Sequence, residues 1–318
     1  MDNHDAAGGA GFSEIDGGVS DELPPGAEEV LAANNSQLLA AGRLVDLART
    51  AVRYLSRDIH LPEGLGPDLV LRCIGVRAHE TLTSVIQLIE SGASHHARLL
   101  LRPLVEDLIF SGWLRTLDID IASRFILLRA ALDIGEGYEA QRRFLPTAYA
   151  SLGVEPVPVG APGLRFETMV HVVQKAAEEL KQLGRPLGWL NRGPTVKVMA
   201  AAAGRNAEYE FFYLASSRSV HSNLHEMARM VWGDATSMTM TISSDTLAVL
   251  HSQFALTYGV WLYAEVLNEL SSVFPPLRDL VESVPWSVWL AIVVGGMASN
   301  GRLPPIVSEE ELHWPPTE

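Results

Sequence analysis

The chain has 318 residues, 47% of them hydrophobic and 19% charged, a balance that supports a sizeable buried core. Its net charge of −14 is uneven: residues 1–35 carry eight acids and no Lys or Arg, the stretch from Asn300 carries four acids against Arg302, and the body between is close to neutral. A near-neutral body argues against broad, charge-driven nucleic-acid binding, and one cysteine, Cys73, excludes an internal disulfide and a Cys-based zinc site.

Residues 1–35, rich in Gly, Ala, Asp and Glu with Pro24-Pro25, read as a disordered acidic tail. They hold no basic start followed by an apolar core, so the expectation is a cytoplasmic protein. Asn34, Asn35 or Ser36 is expected to cap a first helix running to about His60. A second helix is expected from Pro67 to Glu90, stopped by Ser91-Gly92. The third, Ser94 to about Leu117, is apolar on nearly every face and therefore central. It nevertheless carries Arg98, Arg102, Glu106 and Asp107, and Pro103 removes the bond to the Leu99 carbonyl, so a kink is expected there.

Ile119 to about Ala150 continues helical, and 151–164 is a Pro- and Gly-rich loop within one domain. An amphipathic helix over Arg165–Leu183, a loop, and a short helix over Thr195–Ala203 lead to the stretch Tyr209–Glu226, YEFFYLASSRSVHSNLHE. There Tyr209, Tyr213, Ser217 and His221 fall four apart and share one side of a helix. A polar segment then precedes a long helix, Asp245 to Phe274, which Pro275-Pro276 stop. The last helix spans about Leu277–Met297. Its apolar run Val284–Met297 falls short of the roughly 20 residues a membrane span needs, so no membrane contact is expected. Val154–Val159 and Met238–Ile242 are the best strand candidates, and neither is convincing. The expected architecture is all-α: a bundle-like domain of eight to ten helices over residues 36–299, with flexible ends at 1–35 and 300–318.

Familiar signatures are missing: there is no P-loop, nucleophile elbow or dinucleotide fingerprint, and no cofactor is implied. His79-Glu80 and His225-Glu226 each begin like a zinc-protease helix, but Thr83 and Arg229 stand where the second His belongs. His221 and His225 are four apart, a weak metal signal, and no metal site is assigned.

Three features together resemble a family of bacterial helical proteins catalogued as a domain of unknown function. They are the segment Ala97–Leu108 with Arg102 and Glu106, the Tyr209–Tyr213–Ser217–His221 spacing, and the preceding helix VKVMAAAAG. The resemblance covers roughly Leu71–Asn223 and implies polar positions at Arg102, Glu106, Tyr213, Ser217 and His221; Pro103 departs from it. The chain also distantly resembles the helical HEPN group, which includes metal-independent ribonucleases of toxin and phage-defence systems. Those carry an Arg, four to six residues, then a His, whereas only two residues separate Arg218 from His221 here.

Three readings stay open at this level. As an enzyme, His221 is the general acid/base, Arg218 or Arg102 stabilises an anion, and Glu106 orients one of them. As a binding or regulatory module, the same residues with Tyr209, Tyr213 and Ser217 line a site for a small ligand, RNA or a second copy of the chain. As structure, they form a satisfied network between two helices. Arg102, Glu106, Tyr213 and His221 are expected to form one polar cluster inside the helical body, because charges on an apolar helix need hydrogen-bonding partners.

Overall fold

The computed structural model describes residues 27–57, 66–155, 162–189, 193–220, 231–234, 239–242, 248–283 and 303–306. The fold is all-α, with one short strand pair among the described residues.

Helix α1 (Ala27–Leu55) begins inside the stretch that composition assigns to the acidic tail. Helix α2 (Pro67–Glu90) opens on a proline, which has no N–H to leave unsatisfied at that position. It lies tightly on α1, because a Cβ on Gly75 would run into the Leu55 side chain.

The expected third helix is two. α3 (Ser94–Leu99) and α4 (Leu101–Leu114) meet at Leu100, whose N–H turns back to the Ala97 carbonyl at 3.2 Å. Pro103 has no N–H for the Leu99 carbonyl, and the chain breaks there instead of bending. α5 (Ile119–Leu152) is capped by the Asp118 side chain, which accepts from the Asp120 N–H at 2.9 Å, and ends at Gly153 with φ +62°. α6 (Pro162–Gly184) packs along α5, with Val173 against the bare backbone of Gly135. α7 (Val196–Ala202) is capped by Thr195, and α8 (Asn206–Val220) carries the aromatic stretch. β1 (Val231–Asp234) pairs antiparallel with β2 (Thr239–Ile242), with Val231 opposite Ile242. The second strand coincides with one of the weak candidates in the sequence. α9 (Ala248–Ser271) and α10 (Pro275–Ser283) complete the order. The last helix is described only to Ser283, and the apolar run Val284–Met297 lies outside the described residues.

Two helices organise the core. α9 is buried on nearly every side and touches α1, α2, α3, α4 and α10. α4 lies against it and also meets α2, α7 and α8. Leu104, Leu108, Ile109 and Trp113 of α4 and Leu256, Tyr263 and Leu267 of α9 are fully or nearly fully buried. Each such aliphatic side chain contributes about 1.5–3 kcal/mol, so this contact dominates the fold. The described residues of the C-terminal stretch reach the core, although 300–318 reads in sequence as a flexible end. Tyr258 of α9 donates to the Pro304 carbonyl at 2.9 Å, and Ile306 packs on the core. No described helix is long and apolar enough to cross a membrane.

Candidate functional site

The polar residues of α4 leave the helix in two directions. On one side Arg102 donates from Nε to Glu106 Oε1 at 3.0 Å, one helical turn along, and from Nη2 to the Tyr213 hydroxyl of α8 at 3.1 Å. Its guanidinium also lies 4.7 Å from the Tyr213 ring centroid, and Tyr209 stacks on Tyr213 at 4.9 Å. The Glu106 hydrogen bond raises the Arg102 pKa above its ordinary value, and burial opposes it. The contact between the two helices is therefore present, but the cluster is not buried: the Arg102 and Glu106 side chains keep 27% and 38% of their exposure. That corrects the expectation of a cluster inside the body. Tyr213 of α8 reaches Arg102, and the pair of Arg102 with Glu106 stays open to water.

The other direction holds the buried charge. Asp107, one residue on, is completely buried and turns toward Arg77 of α2. Arg77 of α2 engages it side-on, with Nε donating to Oδ2 at 3.0 Å and Nη2 to Oδ1. Burial pushes the Asp107 carboxyl above its ordinary value, while the Arg77 hydrogen bond and charge pull it down. The same hydrogen bond raises the Arg77 guanidinium. The pair is lopsided: the Asp107 side chain has 0% exposure and the Arg77 side chain 60%.

Arg77 and Glu106 share a cleft of about 410 Å³. Ile109 and Phe110 of α4 and Phe125, Arg129 and Asp133 of α5 form two of its walls. Pro194, Thr195, Val196 and Met199, at the start of α7, form another. Arg129 donates to Asp133 at 2.6 Å, so both arginines of the cleft are held by a carboxylate. Behind the apolar wall the rings interlock. Phe110 stacks on Trp113 at 5.7 Å, Trp113 meets Phe125 edge-on at 4.8 Å, and Trp189 meets Phe125 at 5.4 Å. Rings locked in this way present a fixed surface.

A second charged network closes the far end of α4. Arg205, just before α8, donates to Glu208 at 2.9 Å and to Glu269 of α9 at 2.8 Å, and lies 3.0 Å from Glu265. Arg115 pairs with the same Glu269. Burial acts to lower the Arg205 pKa, but the bonds to Glu269 and Glu208 outweigh it and raise the pKa.

Of the residues expected from sequence, the fold joins Arg102, Glu106, Tyr209 and Tyr213. Ser217 and Arg218 lie on α8, but their side chains are outside the described residues, as is His221 altogether. Sequence reasoning missed Arg77, Arg129 and Asp133. Asp107 stood out as a charge in an all-apolar helix, but nothing distinguished Arg77 from Arg72 on α2. His79, from the zinc-like His-Glu pair, lies with Nδ1 2.9 Å from the Tyr263 hydroxyl, and burial pushes its pKa down. Among the described residues no group of three or more His, Cys, Asp or Glu is placed to hold a metal.

These features define an all-α domain with a ligand-sized cleft beside its central helix. The chain belongs to DUF5677, a family of unknown function, whose match spans residues 68–238, just over half the chain. That span contains every lining residue of the cleft. The match is to the family as a whole and assigns no role to Arg102, Glu106, Tyr213, Ser217 or His221. No curated protein and no solved structure matches the chain.

Proposed function

We propose that this domain is a binding module for a small molecule, with its site in the cleft beside Glu106. The observation that carries this reading is the way the cleft is built. Its apolar wall rests on the interlocked rings of Phe110, Trp113, Phe125 and Trp189, and each of its arginines is held by a carboxylate. A volume of about 410 Å³ suits a small organic ligand. Walls fixed in advance lower the ordering cost of binding.

Glu106 gives the module a regulatory side. It lines the cleft and also accepts from Arg102, which in turn donates to Tyr213 of α8. A ligand seated beside Glu106 changes the surroundings of its pair with Arg102, and through Tyr213 the seat of α8 on α4. The ribonuclease alternative keeps Arg218 and His221 as its residues, and no observation favours it over binding.

The test is a melting-temperature screen of fragments of mixed charge against the full chain and against Val196→Trp, which fills the cleft. A ligand that binds only the folded state at 100 times its Kd stabilises it by about 2.7 kcal/mol. The expected result is a set of fragments that raise the melting temperature of the parent and leave Val196→Trp unmoved. Hits that stabilise both proteins equally would place binding elsewhere and overturn the reading.

A further inference from the structure

We infer that the cleft selects a small oxyanion, a carboxylate or a phosphate, carried on a flat apolar body, with Arg77 as its anchor. This rests on the cleft being a binding site, as proposed above. The first ground is the lopsided Arg77–Asp107 pair. An arginine carries five N–H donors in a rigid planar fork. Asp107 accepts from Nε and Nη2, along one edge of that fork. Being wholly buried, Asp107 cannot itself meet a ligand. Its carboxylate fixes the guanidinium plane, and Arg77 stands 60% exposed at the cleft wall with donors left to give. A planar donor fork held side-on suits a second, bidentate oxyanion.

The second ground is the rest of the lining. Arg129 enters from α5 and adds a second guanidinium to the same cleft. The two carboxylates that also line it are already engaged: Glu106 accepts from Arg102 at 3.0 Å and Asp133 from Arg129 at 2.6 Å. Each already carries a guanidinium, whose like charge opposes an ammonium ligand that approaches the same carboxylate. An oxyanion instead adds to donors that Asp107 does not use. The three acids are matched by three arginines, so no excess negative charge repels an anion at the entrance. Half-buried Phe110 supplies the apolar surface for the ligand's body, with Phe125, 3% exposed, packed behind it.

The experiment is calorimetric titration of the full chain at low ionic strength with phenyl phosphate, benzoate and benzylammonium. Phenyl phosphate and benzoate are expected to bind and benzylammonium is not; the stronger of the two anions identifies the head group. In Arg77→Met/Asp107→Leu both members of the buried pair are replaced together, so no uncompensated charge is left behind. That variant is expected to bind the preferred anion at least tenfold more weakly. If it does not fold, Arg77→Lys keeps the charge and loses the fork, with at least a fivefold loss expected. Unchanged affinity in whichever variant folds would overturn the inference. So would benzylammonium binding more tightly than either anion. If none of the three probes binds while the fragment screen yields Val196-dependent neutral or cationic hits, the inference fails and the binding reading stands. If the screen is empty as well, both fall.

Discussion

Two charged regions border α4, and they are built on opposite plans. At its C-terminal end, Arg205 and Arg115 meet Glu208, Glu265 and Glu269, and the network closes on itself. Gly112 of α4 allows the close approach there, since a Cβ would lie 3.3 Å from that of Ala203. On the α2 side, Asp107 has a single arginine partner, whose far end faces the cleft. The first arrangement spends its hydrogen bonds on joining helices. The second hides the acid and presents the base. Half-buried charge alone therefore does not mark a site in this molecule; the mark is a buried group that fixes a partner at a cavity wall.

The largest effect that separates the two regions is expected at Arg205. Arg205→Ala leaves Glu208, Glu265 and Glu269 facing one another, and partners with 13–16% side-chain exposure have little water to compensate. Urea denaturation is expected to show a loss of roughly 3–5 kcal/mol, as for breaking a buried pair. A loss below about 1 kcal/mol would mean that this network behaves like surface charge, and the contrast would collapse.

Acid titration of stability sharpens the comparison from the Asp107 side. With its carboxyl above the ordinary value of 3.8, the folded state keeps a proton there that the unfolded chain has released. That contribution is full below 3.8 and is lost as pH rises through the raised value. Asp107→Asn carries no such proton. The stability of the parent relative to Asp107→Asn should therefore fall as pH rises across that window. A difference that grows instead would show that the pull of Arg77 outweighs burial.

The smallest effect is expected at Glu106. Its pair with Arg102 is half-open to water, so Glu106→Ala should cost about 1 kcal/mol or less. A buried cluster would have given several times that. Chemical denaturation beside Glu179→Ala, another exposed acid, decides between them.

Much of this architecture is legible in the sequence. An apolar helix carrying Arg102 and Glu106 four apart, with a hydroxyl-rich helix elsewhere, identifies two elements that meet, and Pro103 marks the break next to them. The exposure of that pair was not legible, because it depends on how α8 crosses α4. Arg77 was hidden for a similar reason. Arg72 and Arg77 look alike in α2, yet Arg72 lies 5.0 Å from the rings of Tyr54 and Phe274 while Arg77 finds Asp107. Only the crossing of α2 over α4 decides which. Composition misled at the start of the chain, since a stretch that reads as a tail contains the beginning of α1 at Ala27. β1 contains Gly233 and Asp234, poor strand formers, and is a strand only through its pairing with β2.

The claim at the centre is that Asp107 is kept buried in order to fix Arg77. A double-mutant cycle on Arg77→Met and Asp107→Leu, measured by urea denaturation, tests it most directly. Arg77→Met leaves an uncompensated carboxylate inside the protein and should cost roughly 3–5 kcal/mol. The double variant is expected to recover most of that loss, giving a coupling of at least about 2 kcal/mol. Single effects that simply add, with Arg77→Met nearly neutral, would show that Asp107 does not hold Arg77 and would contradict the claim.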